Sequence, residues 1–193
     1  MANGKVCTGF SQPWVAKYAA SGTTITLTDA MALARGVSVT IEPETAENNN
    51  FYADNVTAES ASGAFNGGTL TLTVDGLKMA ARNFILGVTG AAEGWQDYGD
   101  NVISPYVAVG YLVRYMEDGI TTWTPTVLYK VKFTQPGSEN ATQEDEIDWQ
   151  TQELTGTIFR ADDANHSWIS IGTDSATEAA ALAALKTKLG VQQ

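Results

Sequence analysis

Three observations in the sequence predict a mainly β fold: apolar residues alternate with threonine at period two, turn residues are abundant, and helical signals are few. Of 193 residues, 17% are charged and 44% are hydrophobic. The charged share lies below the roughly 25% of an average soluble domain. Much of the polar surface is therefore Thr, Ser, Asn, Gln and Gly, which suit strands and turns. The length fits one domain, or one domain with an extension.

The first clear alternation is Thr24-Ile25-Thr26-Leu27-Thr28, which sets Ile25 and Leu27 on one face. Residues 29–35, closed by Gly36, read as a single helical turn. Val37-Ser38-Val39-Thr40-Ile41 is the next strand, and Thr69-Leu70-Thr71-Leu72-Thr73-Val74 follows the turn signal Asn66-Gly67-Gly68. Residues 75–83 read as a short helix or turn leading into 84–88. Segment 106–116 differs, because Val107, Val109, Tyr111, Val113 and Tyr115 oppose Ala108, Leu112 and Met116. Apolar residues on both sides imply a central strand, or a strand with one face in a core and the other at an interface.

Asp118-Gly119 is a hairpin turn signal, and 126–133 returns with Val127, Tyr129, Val131 and Phe133 aligned and Lys130 and Lys132 opposite. Later strands are expected at 154–160 and 168–171. Ser175-Ala176-Thr177-Glu178 has the form of a capping box. The stripe Leu182, Leu185 and Leu189, with Gly190 as the stop, predicts a helix over 176–189. That helix either docks on the sheet or forms a short appendage. Two polar stretches, 42–68 and 134–152, read as long irregular loops, which in a compact domain usually serve a purpose.

Composition narrows the chemistry. A net charge of −11 and only eleven Lys and Arg disfavour binding to nucleic-acid phosphates. The single cysteine, Cys7, cannot form an internal disulfide, and no Cys/His spacing suits zinc. Met1-Ala2-Asn3-Gly4-Lys5 lacks a secretory pattern, and no apolar run approaches the ~18 residues of a membrane span, so a soluble cytoplasmic product with no membrane partner is expected. Three Asn-x-Ser/Thr matches, at Asn55, Asn140 and Asn165, are then fortuitous.

No catalytic constellation emerges. His166, the only histidine, lies in Asp162-Asp163-Ala164-Asn165-His166-Ser167, but adjacency in sequence is not triad geometry. Asp97, Asp100 and Asn101 lack the glutamate and loop length of an EF-hand and read as a polar turn. The acidic run around Glu144 to Asp148 reads as a solvated loop. No enzymatic activity, metal or cofactor is expected.

The order of segments carries a resemblance. Its residues are Phe51-Tyr52-Ala53-Asp54-Asn55, then Val109-Gly110-Tyr111-Leu112-Val113-Arg114 with Asp118-Gly119, then Leu128-Tyr129-Lys130-Val131-Lys132-Phe133. Ile147-Asp148-Trp149-Gln150-Thr151-Gln152-Glu153-Leu154-Thr155-Gly156-Thr157-Ile158, Asp162-Asp163 and Trp168 complete the run. Over about residues 25–170 the chain resembles the major tail protein (tail tube protein) family of siphophages and prophages of Gram-positive bacteria. The helix after Asp174 lies outside that resemblance.

The resemblance implies a tail-tube-type β-sandwich or barrel with a short flanking helix, spanning 1–172, and a C-terminal helical extension at 173–193. It implies a structural virion protein of the phage tail, assembled in the host cytoplasm into stacked, hexameric rings through which DNA is ejected. Implied partners are further copies of the chain, the tape measure protein, and the tail terminator and distal tail proteins. DNA would pass through the lumen without specific binding, repelled evenly by acidic residues. Candidate contacts between subunits are Asp54, Asp118, Gly119, Trp123, Glu144, Asp145, Glu146, Asp148 and Trp149. The alternative is a monomeric ligand- or carbohydrate-binding β-sandwich that uses Trp95, Trp123 or Trp149 as a stacking platform.

Overall fold

A computed structural model describes residues 4–47, 49–53, 55–61, 63–89, 94–143 and 149–191. The chain runs β1 (Val6–Ser21), β2 (Thr24–Ala32), β3 (Gly36–Thr45), β4 (Asn49–Ala53), β5 (Val56–Ala61), β6 (Phe65–Val74) and α1 (Met79–Leu86). It continues with β7 (Val107–Glu117), β8 (Ile120–Phe133), β9 (Gln152–Phe159), β10 (Ile169–Ile171) and α2 (Glu178–Lys188). Eight strands form one antiparallel sheet in the order β2-β1-β7-β8-β9-β6-β3, with β10 added to β8, while β4 and β5 pair separately. The fold is mainly β with two short helices, as the alternation predicts.

The alternation assigns the faces. In β6, Leu70, Leu72 and Val74 are fully buried, while the threonines between them are half-buried on the other side. These residues pack with Val15, Val109, Leu128, Val131, Phe133, Leu154 and Ile158 into the main core. Helix α1 supplies Ala81, Ile85 and Leu86 to that core and ends at Gly87, whose φ of 69° suits a left-handed cap. The sheet curls strongly. Phe10 of β1 packs edge-on against Tyr111 of β7 and lies so close to Gly36 of β3 that any side chain there would collide with its ring. Edge strand β3 thus approaches the N-terminal part of β1, although no ladder joins them among the described residues.

A second core occupies the opposite face of β1, β7 and β8. Ala16, Ala108, Leu112 and Val127 form its floor, and Ala181, Leu185 and Leu189 of the α2 region cover it. A Cβ on Gly110 would sit 2.7 Å from Leu185 Cδ1 and 3.0 Å from Leu189 Cδ1, so the missing side chain lets the helix descend onto the sheet. The C-terminal helix therefore docks, and β7 is a central strand whose second face is filled from within the same chain. An isolated helix of this length would be marginal in water, so α2 owes its order to this packing.

Several expectations need correction. Strand β1 carries no clean alternation, because its ladder with β7 shifts between Cys7 and Gly9 and between Ser11 and Trp14, and Gln12 has φ 56°. Residues 29–32 are strand rather than a helical turn: Asp29, at φ 52°, sits in a bulge that lets Leu27 and Ala30 face α2 while Met31 and Leu33 face the main core. The register of β8 also shifts, so Leu128, Val131 and Phe133 face the main core while Val127 and Tyr129 turn toward α2. The expected alignment of Val127 and Tyr129 with Val131 and Phe133 fails there. The stretch 42–68 is largely an ordered hairpin. For α2 the N-cap is Thr177, which accepts from the Ala180 amide at 3.3 Å, while Ser175 bridges to Trp123 instead of capping.

Replacing Leu185 with alanine should cost about 2–4 kcal/mol, since it opens a dry cavity between α2 and β7. Equilibrium denaturation by urea checks it, with loss of helical circular dichroism reporting whether α2 leaves the sheet.

Candidate assembly surfaces

The longest feature outside the two cores is a hairpin arm. Its root is the β3–β6 ladder, in which Pro43 faces Gly68. Proline is tolerated on an edge strand because its missing N–H removes no ladder bond on the outer side. The Ala46 amide donates to the Ala64 carbonyl at 2.9 Å, and β4 then pairs with β5 from Asn49↔Ala61 to Ala53↔Val56. Asn55, at φ 62°, lies in the turn. The β6–β9 ladder stops at Gly68↔Ile158, so the arm beyond that register has no third strand among the described residues. Two-stranded ribbons are marginally stable alone in water. A parallel stack of Phe65 on Trp168, with centroids 4.5 Å apart, fixes the root of the arm to the segment before β10.

A second surface is the β7–β8 turn. Asp118 and Gly119 have φ of 48° and 80°, the two left-handed residues of a primed hairpin turn, in keeping with the Asp-Gly signal. Ile120 beside them is 68% exposed, and Val6, paired with Met116 near the same end of the sheet, is 65% exposed. The predicted contact residue Trp123 is not at this tip. It is partly buried, exchanges backbone hydrogen bonds with Ser175 at 2.9 Å, and packs against the α2 core. Its role is to anchor the entry into α2. Trp149 is 82% exposed on the connection before β9. Asp54, Glu144, Asp145, Glu146 and Asp148 lie outside the described residues.

Polar clasps hold the ends of the chain against the sheet. Both carboxylate oxygens of Asp174 accept from Lys5 at 2.9 Å, and the buried Thr124 hydroxyl also donates to Asp174. Glu178 accepts from Ser11 at 3.1 Å and Gln12 at 3.4 Å. Lys130 pairs with Asp162 at 2.7 Å and lies over the rings of Tyr18 and Tyr106, while Lys132 lies over Tyr106. Tyr18 donates to Asp162 at 2.8 Å. These bonds lower carboxyl pKa values: Asp174 through Thr124 and then Lys5, Asp162 through Lys130 and then Tyr18, Asp163 through Ser167, and Asp75 through Arg35. Burial pushes the Tyr111 phenol up.

His166 and its neighbours form a closed turn. Asp163 accepts from both the amide and the hydroxyl of Ser167 at 2.7 Å, and His166 Nδ1 lies 3.3 Å from the Ala161 carbonyl. Ser167 thus bonds the acid directly, without the imidazole between them. Among the described residues no group of three or more His, Cys, Asp or Glu converges to hold a metal. Asp97, Asp100 and Asn101 lie in the connection between α1 and β7. No described helix is long and apolar enough to cross a membrane.

No protein-family model matches this chain, and no curated protein is significantly similar to it. The surfaces above rest on their own geometry. The arm was missed in the sequence because its polar, Asn-rich strands lack apolar alternation. The Asp118-Gly119 turn was legible because a primed turn demands those residue types.

Carboxyls with depressed folded pKa values add stability above the ordinary carboxylate range and lose it as pH falls through those folded values. Resistance to urea should therefore drop below about pH 4. Asp174→Asn should lower stability at pH 7 and flatten part of that acid dependence, as read from unfolding midpoints across pH 2.5–7.

Proposed function

We propose that this protein is a structural subunit that polymerises as stacked rings into a phage tail tube, its curled sheet being a tail-tube-type sandwich or barrel. The observation that carries the reading is the β4–β5 arm: a ribbon that has no third strand on either edge among the described residues, and that a strand of another molecule can complete. Open edges of this kind are liabilities in a monomer and are used productively when a neighbour pairs with them. A contact that closes by rotation gives a ring, and a second that does not close stacks rings into a filament. The exposed Ile120 at the β7–β8 turn, together with Trp149, offers apolar anchors of the type that interfaces bury.

The ordered likeness over residues 25–170 supports the same assignment. The charge of −11 fits a conduit for DNA, since acidic walls repel phosphates and leave no binding register to slow passage. In this reading the protein is not an enzyme. Its partners are its own copies, the tape measure protein, and the terminator and distal tail proteins at the tube's ends.

Negative-stain microscopy of the concentrated full-length chain should show rings or tubes. Replacing residues 47–62 with a short glycine-containing turn should leave a folded, soluble subunit that forms none. A full-length chain that stays monomeric at high concentration, and also when supplied with preformed tail ends, would remove the proposal.

A further inference from the structure

Strands β7 and β8 carry opposite chemistry at their two ends. At the turn, Glu117, Asp118 and Ile120 are all exposed. Strand β7 has 11 residues, so its other end lies roughly 33 Å away. There Val107 pairs with Val131, whose neighbours Lys130 and Lys132 lie on the face opposite the main core. Tyr106, 40% exposed, has its ring centre 4.7 Å from the Lys130 ammonium and 5.8 Å from that of Lys132, and it packs edge-on against Phe159. Arg160 follows Phe159 and is exposed. We propose that this lysine–tyrosine patch receives the β7–β8 turn of a second copy, so that copies stack head to tail along the strand direction. The inference rests on the tube reading and deepens it by naming the contact that joins one ring to the next.

Charge complementarity carries the argument. A chain of net charge −11 repels its own copies over most approaches. A contact between copies therefore needs a local site of the opposite sign. Lys130 is already neutralised by Asp162 at 2.7 Å. Lys132 and Arg160 form no ion pair among the described residues, and neither does Glu117 at the far end. The unspent cations and the unspent carboxylate thus sit at opposite ends of one hairpin.

The apolar surfaces match as well. The turn is a narrow two-residue tip beside Ile120, and the patch is a broad aromatic surface on which that side chain can be buried. Cations held over aromatic rings keep their charge available while the rings supply contact area.

Direction follows from topology. A contact between the two ends of one hairpin is heterologous, and repeating it along the strand axis extends a stack without closing it. The β4–β5 arm is left for the contact that closes the ring. Each exposed ion pair is weak alone, but a ring presents one set per subunit and the sets engage together.

Charge reversal in the full-length chain, read by negative-stain microscopy and sedimentation, tests this. Lys132→Glu and Glu117→Lys should each shorten the tubes about tenfold and leave single rings, because like charges then face one another. The two substitutions combined in one chain should restore stacking, which a merely structural defect would not do. A second measurement does not depend on charge. In a Cys7→Ser background, Ile120→Cys together with Tyr106→Cys should give disulfide-linked ladders when assembled protein is mildly oxidised, and none when it is diluted to free subunits. The contact is overturned if both reversals stack normally, if the combined variant stays as single rings, or if no ladder forms in stacked rings. A parent chain that forms no rings at all would bring down the tube reading and this contact with it, whereas rings that stack regardless of these charges would bring down the contact alone.

Discussion

Strand β7 has to be dry on both faces, and the rest of the molecule is arranged to keep it so. On one side Val107 and Val109 enter the main core, and on the other Ala108 and Leu112 lie beneath α2. A strand buried on both sides cannot rely on water to satisfy its backbone, so it must be flanked by full ladders. Strands β1 and β8 provide them along nearly its whole length. From that centre the sheet extends outward to β2 on one side and to β9, β6 and β3 on the other.

Two-sided burial also explains the division of labour between the helices. Helix α1 fills the concave side, where large residues such as Leu70, Leu72 and Phe133 converge. Helix α2 covers the other side, where the sheet offers Ala16, Ala108 and Gly110, a floor thin enough for close approach. Because α2 contributes few apolar residues, its placement also draws on polar clasps at its entry. Asp174, Ser175 and Glu178 reach Lys5, Trp123 and β1 respectively. Each bond is modest alone, but together they tie β1 and β8 to the entry of α2.

The periphery follows different rules. The β4–β5 arm pairs only with itself among the described residues, and the β7–β8 turn exposes Ile120 beside Asp118-Gly119. Elements of that type sit at the low end of a protein's local stability, where binding can order them at small cost to the core. The cleft between the β6–α1 connection and the segments flanking β8 and β9 is different in kind, its walls being cross-linked by Gln152 and Arg82.

What the amino-acid sequence determined by itself was the local pattern. Threonine alternating with leucine made β6 a one-sided strand, Asp118-Gly119 made a primed turn, and the stripe ending at Leu189 and Gly190 made a helix. Each depends only on the period of side chains along a backbone and on which residues tolerate left-handed φ. The negative charge was equally plain. Tertiary structure alone decided the bulges at Gln12 and Asp29, the register shift in β8, the ordering of the Asn-rich arm, the choice of Thr177 over Ser175 as cap, and the cleft. These depend on hydrogen bonds and packing between residues far apart in the chain, such as Lys5 with Asp174 or Gln152 with Leu77, and no local window of sequence encodes which distant partner will be present.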